Sequence, residues 1–235
     1  MKMLQVIKKT RFFIVYPVIG LVILPGRTSD ASRFWGALVV LLGEGVRGWA
    51  NGYVGHNKVN RTRRHEGEEP IGRLITAGPY GWVRHPLYLG TLLIFVGVGI
   101  TAGNPWLMAV AVAFFAAIYA RKTRQEDMLL AAECGAMHER YFVSVPRFFP
   151  KFKHYGVRQG EWNWAGIRAS QEWKTVIWLV ILYIFLYLRE EWYQEREFLA
   201  SGEVLKHSLW FGLMAALVVG DLALQIISKR RRRPS

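Results

Sequence analysis

Two short stretches of this chain concentrate the side chains that chemistry needs. The first is Leu74-Ile75-Thr76-Ala77-Gly78-Pro79-Tyr80-Gly81-Trp82-Val83-Arg84-His85-Pro86-Leu87-Tyr88-Leu89-Gly90. Gly78-Pro79 reads as a turn. His85-Pro86 reads as a helix start, because proline is tolerated in a first helical turn. Backbone N–H groups at such a start favour an anionic group such as a carboxylate, and Tyr80 and Tyr88 offer aromatic faces to a cation. The second stretch opens on paired carboxylates, Glu126-Asp127, and continues through Gly135 and Tyr141 to Val145-Pro146-Arg147-Phe148-Phe149-Pro150. A carboxylate in that position pairs with an ammonium.

The elements that must position these groups are long apolar runs between strongly charged stretches. Of the 235 residues, 52% are hydrophobic and 20% charged, and the two kinds are segregated, as expected where lipid replaces water as solvent. Apolar runs span residues 12–25, 34–49, 87–102, 105–120, 176–188 and 209–227. The expected fold is all-α, a polytopic integral membrane protein with about six transmembrane helices. The first run is short for a span and is lengthened by Val6, Ile7 and snorkelling Lys8 and Lys9. Its basic start resembles a signal peptide. No small-x-small cleavage pattern follows, so it is expected to remain as the first helix. Asn104-Pro105 makes a tight turn between the third and fourth runs, which therefore form an antiparallel hairpin.

The net charge of +14 would suggest nucleic acid in a soluble chain; topology accounts for it here, and no nucleic-acid partner is expected. Of the 31 Lys and Arg, 25 fall in segments 1–11, 51–86, 121–174 and 228–235, which one topology puts on the same side. The positive-inside rule makes that side cytoplasmic, with both termini there. The expected location is a bacterial inner membrane or the endoplasmic reticulum. The outer loop 189–206 holds Glu190, Glu191, Glu195, Glu197 and Glu203. Lys229 and Arg230-Arg231-Arg232-Arg233 read as an anchor on anionic lipid, and the stretch around Trp162, Trp164 and Trp173 as an interfacial segment. Cys134 is the single cysteine, so no intrachain disulfide forms. His56 and His65 lack metal-ligand spacing, and no metal is expected. Glu44 and Arg47, three apart inside the second run, are either a local salt bridge or a functional intramembrane pair.

The hairpin folds the chain back on itself, so the two polar stretches are expected to meet at one membrane face. A ligand carrying a carboxylate, an ammonium and a sulfonium matches them, which points to S-adenosylmethionine. The run Gly78-Pro79-Tyr80, then Arg84-His85-Pro86-Leu87-Tyr88-Leu89-Gly90, resembles the isoprenylcysteine carboxyl methyltransferase and phospholipid methyltransferase superfamily. Its pattern is G-P-Y-x-x-x-R-H-P-x-Y-x-G, then a helical hairpin, a Glu pair, L-L-x-x-x-F-G and V-P-R-F-x-P. This chain follows that order across 72–150, with Asp127 as the second member of the pair, Cys134 before Gly135 and His138 where Tyr is common.

The resemblance implies S-adenosylmethionine as cofactor, bound by Leu74, Ile75, Tyr80, His85, Pro86, Leu87, Tyr88, Glu126 and Asp127, with Glu126 on the methionine ammonium. It implies that Arg84, His85 and Lys122 serve the reaction, Lys122 and Arg84 meeting an anionic group of the acceptor. Three regions follow: a two-helix segment with a basic loop over 1–71, the methyltransferase core over 72–150, and an interfacial segment with two added helices and a basic tail over 151–235. The expected reaction is methyl transfer to a lipid-like or small hydrophobic acceptor among the membrane lipids. The absence of an obvious base favours a carboxylate over an amine, which must first lose a proton. A phospholipid N-methyltransferase, a nicotinamide-dependent reductase of the sterol reductase type, and a non-catalytic membrane scaffold are the alternatives.

Overall fold

The computed structural model describes residues 26–54, 74–170, 172–194 and 203–230. The apolar run 12–25, the polar stretch with His56 and His65, and Arg231-Arg232-Arg233 lie outside the described residues. All described elements are helical: α1 Asp30–Val54, a 3-10 turn Gly78–Gly81, α2 Pro86–Ala102, α3 Pro105–Ser144, α4 Trp164–Ser170, α5 Glu172–Gln194 and α6 Glu203–Arg230. The expected second to sixth spans fall inside α1, α2, α3, α5 and α6. Among the described residues no helix is long and apolar enough to cross a membrane. The reasons are local: α1 carries Glu44 and Arg47 at mid-length, α2 ends after 17 residues, and α3 becomes charged from Arg121 onward.

The helix boundaries follow from local chemistry. Ahead of α1, the Ser32 backbone N–H donates to the Ser29 hydroxyl while the Ser29 N–H donates to that of Ser32, a reciprocal cap on otherwise unpaired donors. Helix α2 starts on Pro86 and stops at Gly103, whose φ of 69° is a left-handed cap. Asn104 then passes the chain into α3, closing the expected hairpin. Helix α3 is interrupted at Gly135 (φ 51°, ψ −130°), a conformation glycine reaches without a Cβ penalty.

Contacts divide the chain into Met1–Ser170 and Gln171–Ser235. In the first unit α1 packs most extensively on α2, through glycines. A Cβ on Gly36 would meet the Gly97 carbonyl oxygen at 2.6 Å, and one on Gly97 would meet that of Gly36 at 2.6 Å. Gly43 and Gly90 oppose each other in the same reciprocal way. This small-residue seam lets two backbones approach as in membrane helix pairs. In the second unit α5 packs on α6, with the Tyr187 and Trp210 rings 5.8 Å apart.

The stretch 145–163 lies along 76–85 as a strap. The N–H groups of Thr76 and Ala77 both donate to the Gln159 carbonyl, that of Tyr155 to Gly81, that of Lys151 to Trp82, that of Arg84 to Pro146 and that of His85 to Arg147. The Thr76 hydroxyl donates to Val157 and accepts from the Gln159 N–H. Leu74, Tyr141 and Val145 form a buried cluster beneath it, joined by Cys134 and Tyr155. Residues 151–170 thus belong to the unit that holds both polar stretches.

Candidate functional site

A cavity of about 280 Å³ lies within the first unit, among α1, α2, α3 and the loop carrying the 3-10 turn. It sits just below the ~300–1,000 Å³ usual for ligand pockets. Leu74, Ile75 and Tyr80 enter from the loop. Arg84, His85, Pro86, Leu87 and Tyr88 come from the start of α2, and Lys122 and Glu126 from α3. The two stretches, about 40 residues apart, therefore face one space. Tyr88 and Glu126 touch directly, the phenol donating to Oε1 of the carboxylate.

The placement follows from element geometry. Proline at the first position of α2 fixes the chain's direction, so that Tyr88, Leu87 and Thr91 rise into the cavity from the first turns. On α3, Tyr119, Lys122, Glu126 and Leu130 recur at three- and four-residue spacing, one helical face, and all line the cavity. The Lys122 ammonium stands 4.8 Å from the Tyr88 ring centre and 5.6 Å from that of Tyr119, within cation–π range. The His85 ring stacks on Tyr88 at 5.6 Å.

Asp127 is the exception among the expected site residues. It is not in the cavity wall but behind it, buried in an ionic cluster. Its Oδ2 accepts from Arg84 Nη1 at 2.9 Å and from Arg147 Nη2 at 3.0 Å, and its Oδ1 is 3.0 Å from His85 Nε2. Burial by itself would raise the Asp127 pKa; the His85 hydrogen bond, the His85 and Arg84 charges and the Arg147 hydrogen bond outweigh it and hold the carboxylate below its usual range. Burial pushes the Arg84 guanidinium down, with Asp127 acting the other way. Arg84 also lies over the Phe142 ring at 3.8 Å.

The cavity floor is neutral. Tyr141 donates to the Tyr80 carbonyl at 2.8 Å, and burial raises both phenols above their ordinary value, so they serve as hydrogen-bonding and packing groups. His138 is buried against Phe142 with no hydrogen-bond partner on Nε2. Its pKa is lowered chiefly by burial.

Several wall residues stand outside the expected site. Arg47 reaches from α1 into the cavity and donates to the Thr91 hydroxyl at 2.5 Å, with Glu44 3.8 Å from its Nε. Val54, Thr91, Tyr119, Leu130 and Tyr141 complete the wall. A charged residue inside an apolar run was the available signal for Arg47, and helical spacing from Glu126 the signal for Tyr119 and Leu130. Backbone donors at the start of α2 are largely committed: the N–H of His85 goes to Arg147, and those of Tyr88 and Leu89 go to His85. Positive charge in this cavity therefore comes from the side chains of Arg47, Arg84 and Lys122 rather than from the helix start. Among the described residues no group of three or more His, Cys, Asp or Glu could hold a metal ion.

Residues 32–134 match the family model described as phospholipid methyltransferase. A cobalt-zinc-cadmium resistance protein of Cupriavidus metallidurans is 37% identical over 92 residues, 39% of this chain and 41% of that protein. A nickel-cobalt-cadmium resistance protein of Alcaligenes xylosoxydans xylosoxydans is 36% identical over 78 residues, 33% of this chain and 36% of that protein. The protein-S-isoprenylcysteine O-methyltransferase of Rattus norvegicus is 30% identical over 125 residues, 53% of this chain and 43% of that enzyme. The chain spans about two fifths of the length of these relatives.

Proposed function

We propose, from the similarity of residues 32–134 to phospholipid methyltransferases and of the chain to an isoprenylcysteine O-methyltransferase, that this protein is an S-adenosylmethionine-dependent methyltransferase acting on a lipid-like acceptor at the cytoplasmic face of a membrane. The observation that carries the reading is the shared cavity, where a carboxylate, stacked aromatic rings and several cations face one another. That donor set fits the cofactor's charges. Glu126 would hold the ammonium, Tyr88 and Tyr80 would offer aromatic faces to the sulfonium, and a cation from the Arg47, Arg84 and Lys122 set would take the carboxylate. When bound, the cofactor supplies a methyl group already activated by its sulfonium.

The protein's work is then alignment and exclusion of water. Leu74, Ile75, Pro86 and Leu87 provide apolar wall. The Tyr88 hydroxyl fixes the Glu126 carboxylate, and Lys122 on the Tyr88 and Tyr119 faces presents a cation to an anionic part of the acceptor. We further propose that α1, α2, the first half of α3, α5 and α6 lie in lipid. Phe34, Trp35, Leu41 and Leu42 on α1, Trp106 and Val110 on α3, and Leu209 and Val219 on α6 are exposed, and apolar exposure on this scale marks a surface that meets something other than water.

Calorimetric titration of the purified protein with S-adenosylmethionine tests the reading. Binding is expected, and Glu126→Ala is expected to weaken it about 10- to 100-fold, a charged hydrogen bond being worth ~1.5–3 kcal/mol. No binding, or binding indifferent to Glu126→Ala, refutes it. Recovery of the protein in the soluble fraction after alkaline washing of membranes refutes the membrane placement.

A further inference from the structure

The sequence shows no base; the structure holds the parts of one. Resting on the methyltransferase reading above, we infer that His85, oriented by Asp127, is a general base, and that the acceptor is a nucleophile that must lose a proton to react, a thiol or an ammonium.

The argument starts from hydrogen-bond direction. Asp127 is buried, and it receives Arg84 and Arg147 on the same oxygen, Oδ2. The surrounding cations keep it ionised. An ionised carboxylate only accepts, so the 3.0 Å contact between its Oδ1 and His85 Nε2 requires the proton on Nε2. In the neutral ring, Nδ1 then bears the lone pair. That second nitrogen faces the cavity side: its nearest charged neighbour is Glu126 Oε2 at 3.7 Å, and both His85 and Glu126 line the cavity while Asp127 does not. A carboxylate behind an imidazole, with the second ring nitrogen on the cavity side beside Glu126, is the arrangement by which a histidine is fixed in one tautomer and aimed at a proton. The Tyr88 ring on one face and Phe148 near another hold the plane.

The charged and titratable groups around this ring are Asp127 and Glu126 on α3, Arg84 beside it, Tyr88 on α2 and Arg147 after α3. Two carboxylates flank the imidazole, and the proposed ammonium on Glu126 neutralises the one on the Nδ1 side. In the transfer, the acceptor's S–H or N–H bond breaks and its proton moves to Nδ1. The electron pair left on sulfur or nitrogen forms the bond to the methyl carbon. The methyl–sulfonium bond breaks with its pair remaining on the cofactor's sulfur, and imidazolium returns its proton to water. A carboxylate acceptor would use none of this apparatus.

Asp127→Asn makes a directional prediction. Because Arg84 and Arg147 both need an acceptor at Oδ2, the asparagine oxygen occupies that place and its NH₂ faces His85 Nε2. The imidazole must then accept at Nε2 and carry its proton on Nδ1, which abolishes the base. The protein in lipid nanodiscs is supplied with methyl-labelled S-adenosylmethionine and three acceptors in turn: dodecanethiol, phosphatidylethanolamine, and an N-acetylated S-farnesyl cysteine carrying only a carboxylate. Label is expected in the thiol or the amine, with a rate that falls on the acid side of its pH profile. In Asp127→Asn the rate falls about 10²- to 10⁴-fold, the usual worth of a general base, the acid limb disappears, and cofactor affinity stays within about threefold. Nitrogen-15 shifts of the native protein at neutral pH are expected to show the proton on Nε2, a readout that does not depend on the variant folding. Label in the carboxylate alone, label in none of the three despite bound cofactor, or a proton on Nδ1 in the native protein overturns the inference. Absence of cofactor binding overturns the methyltransferase reading itself.

Discussion

Gly43→Ala adds a single methyl group at a close approach in the α1–α2 seam. The new Cβ would stand 2.6 Å from the Gly90 carbonyl oxygen, 2.9 Å from Ile94 Cγ1 and 3.0 Å from the Ile94 nitrogen. Two of these three atoms are backbone, so no rotamer change relieves them. Carbon contacts settle at ~3.5–4.0 Å, so the two helices must part by about 1 Å, and overpacking of this kind costs about 1–3 kcal/mol. Gly45→Ala, two residues along the same helix, meets nothing within 4 Å. Both variants carry the same gain in helix propensity, ~0.5–1 kcal/mol, so the difference between them isolates the seam. For a chain of this size ~1 kcal/mol moves the thermal midpoint by ~2–4 °C. Gly43→Ala should therefore melt about 2–12 °C below Gly45→Ala in the same detergent, followed by far-ultraviolet circular dichroism. Coincident midpoints would show that α1 and α2 do not meet through Gly43, and the cavity they help to wall would lose its support.

Other outcomes are equally direct. Arg147→Ala leaves Asp127 Oδ2 with Arg84 alone; unfolding stability should drop by about 1–3 kcal/mol, measured by denaturant titration, and no change would mean the cluster is not formed. The Asp127 pKa is depressed on folding, so its contribution is present above the unfolded value of ~3.9 and is lost as pH falls through the lower folded value. The acid-unfolding curve of Asp127→Asn should accordingly be shallower than that of the native protein. Tyr141→Phe removes the bond to the Tyr80 carbonyl and should lower stability by about 0.5–1.5 kcal/mol. Arg47→Gln should leave the fold intact while weakening S-adenosylmethionine or an anionic acceptor at least tenfold by titration; full affinity for both would remove Arg47 from the site.

How far the fold and the site could be read in the sequence depended on whether the signal was local. The 103–105 turn was legible because Asn104-Pro105 punctuates two apolar runs, and Gly103 supplies the left-handed cap. The meeting of Tyr88 and Glu126 followed from the hairpin, which returns α3 alongside α2. Asp127 and Glu126 are adjacent in sequence, yet neighbours on a helix point about 100° apart: Glu126 faces the cavity and Asp127 faces Arg84 and Arg147. The strap was not legible at all. Its pairings, such as Ala77 with Gln159, join irregular segments more than 60 residues apart, and no periodicity records which carbonyl a loop N–H will find. Arg47 was visible as a charge in an apolar run, but its reach into the cavity depends on the tilt of α1 across α2, which glycine contacts decide.

The strap also bears on where the working protein stops. The family match ends at residue 134, yet the carbonyls of Gly81 and Trp82 and the amides of Thr76, Ala77, Arg84 and His85 are satisfied by residues 146–159. A gene fragment trimmed to the matched boundary would strip hydrogen-bond partners from the loop that presents Tyr80, Arg84 and His85. Anyone transplanting this region into another scaffold should carry the chain through Asn163, whose backbone amide ties back to Gly52 on α1.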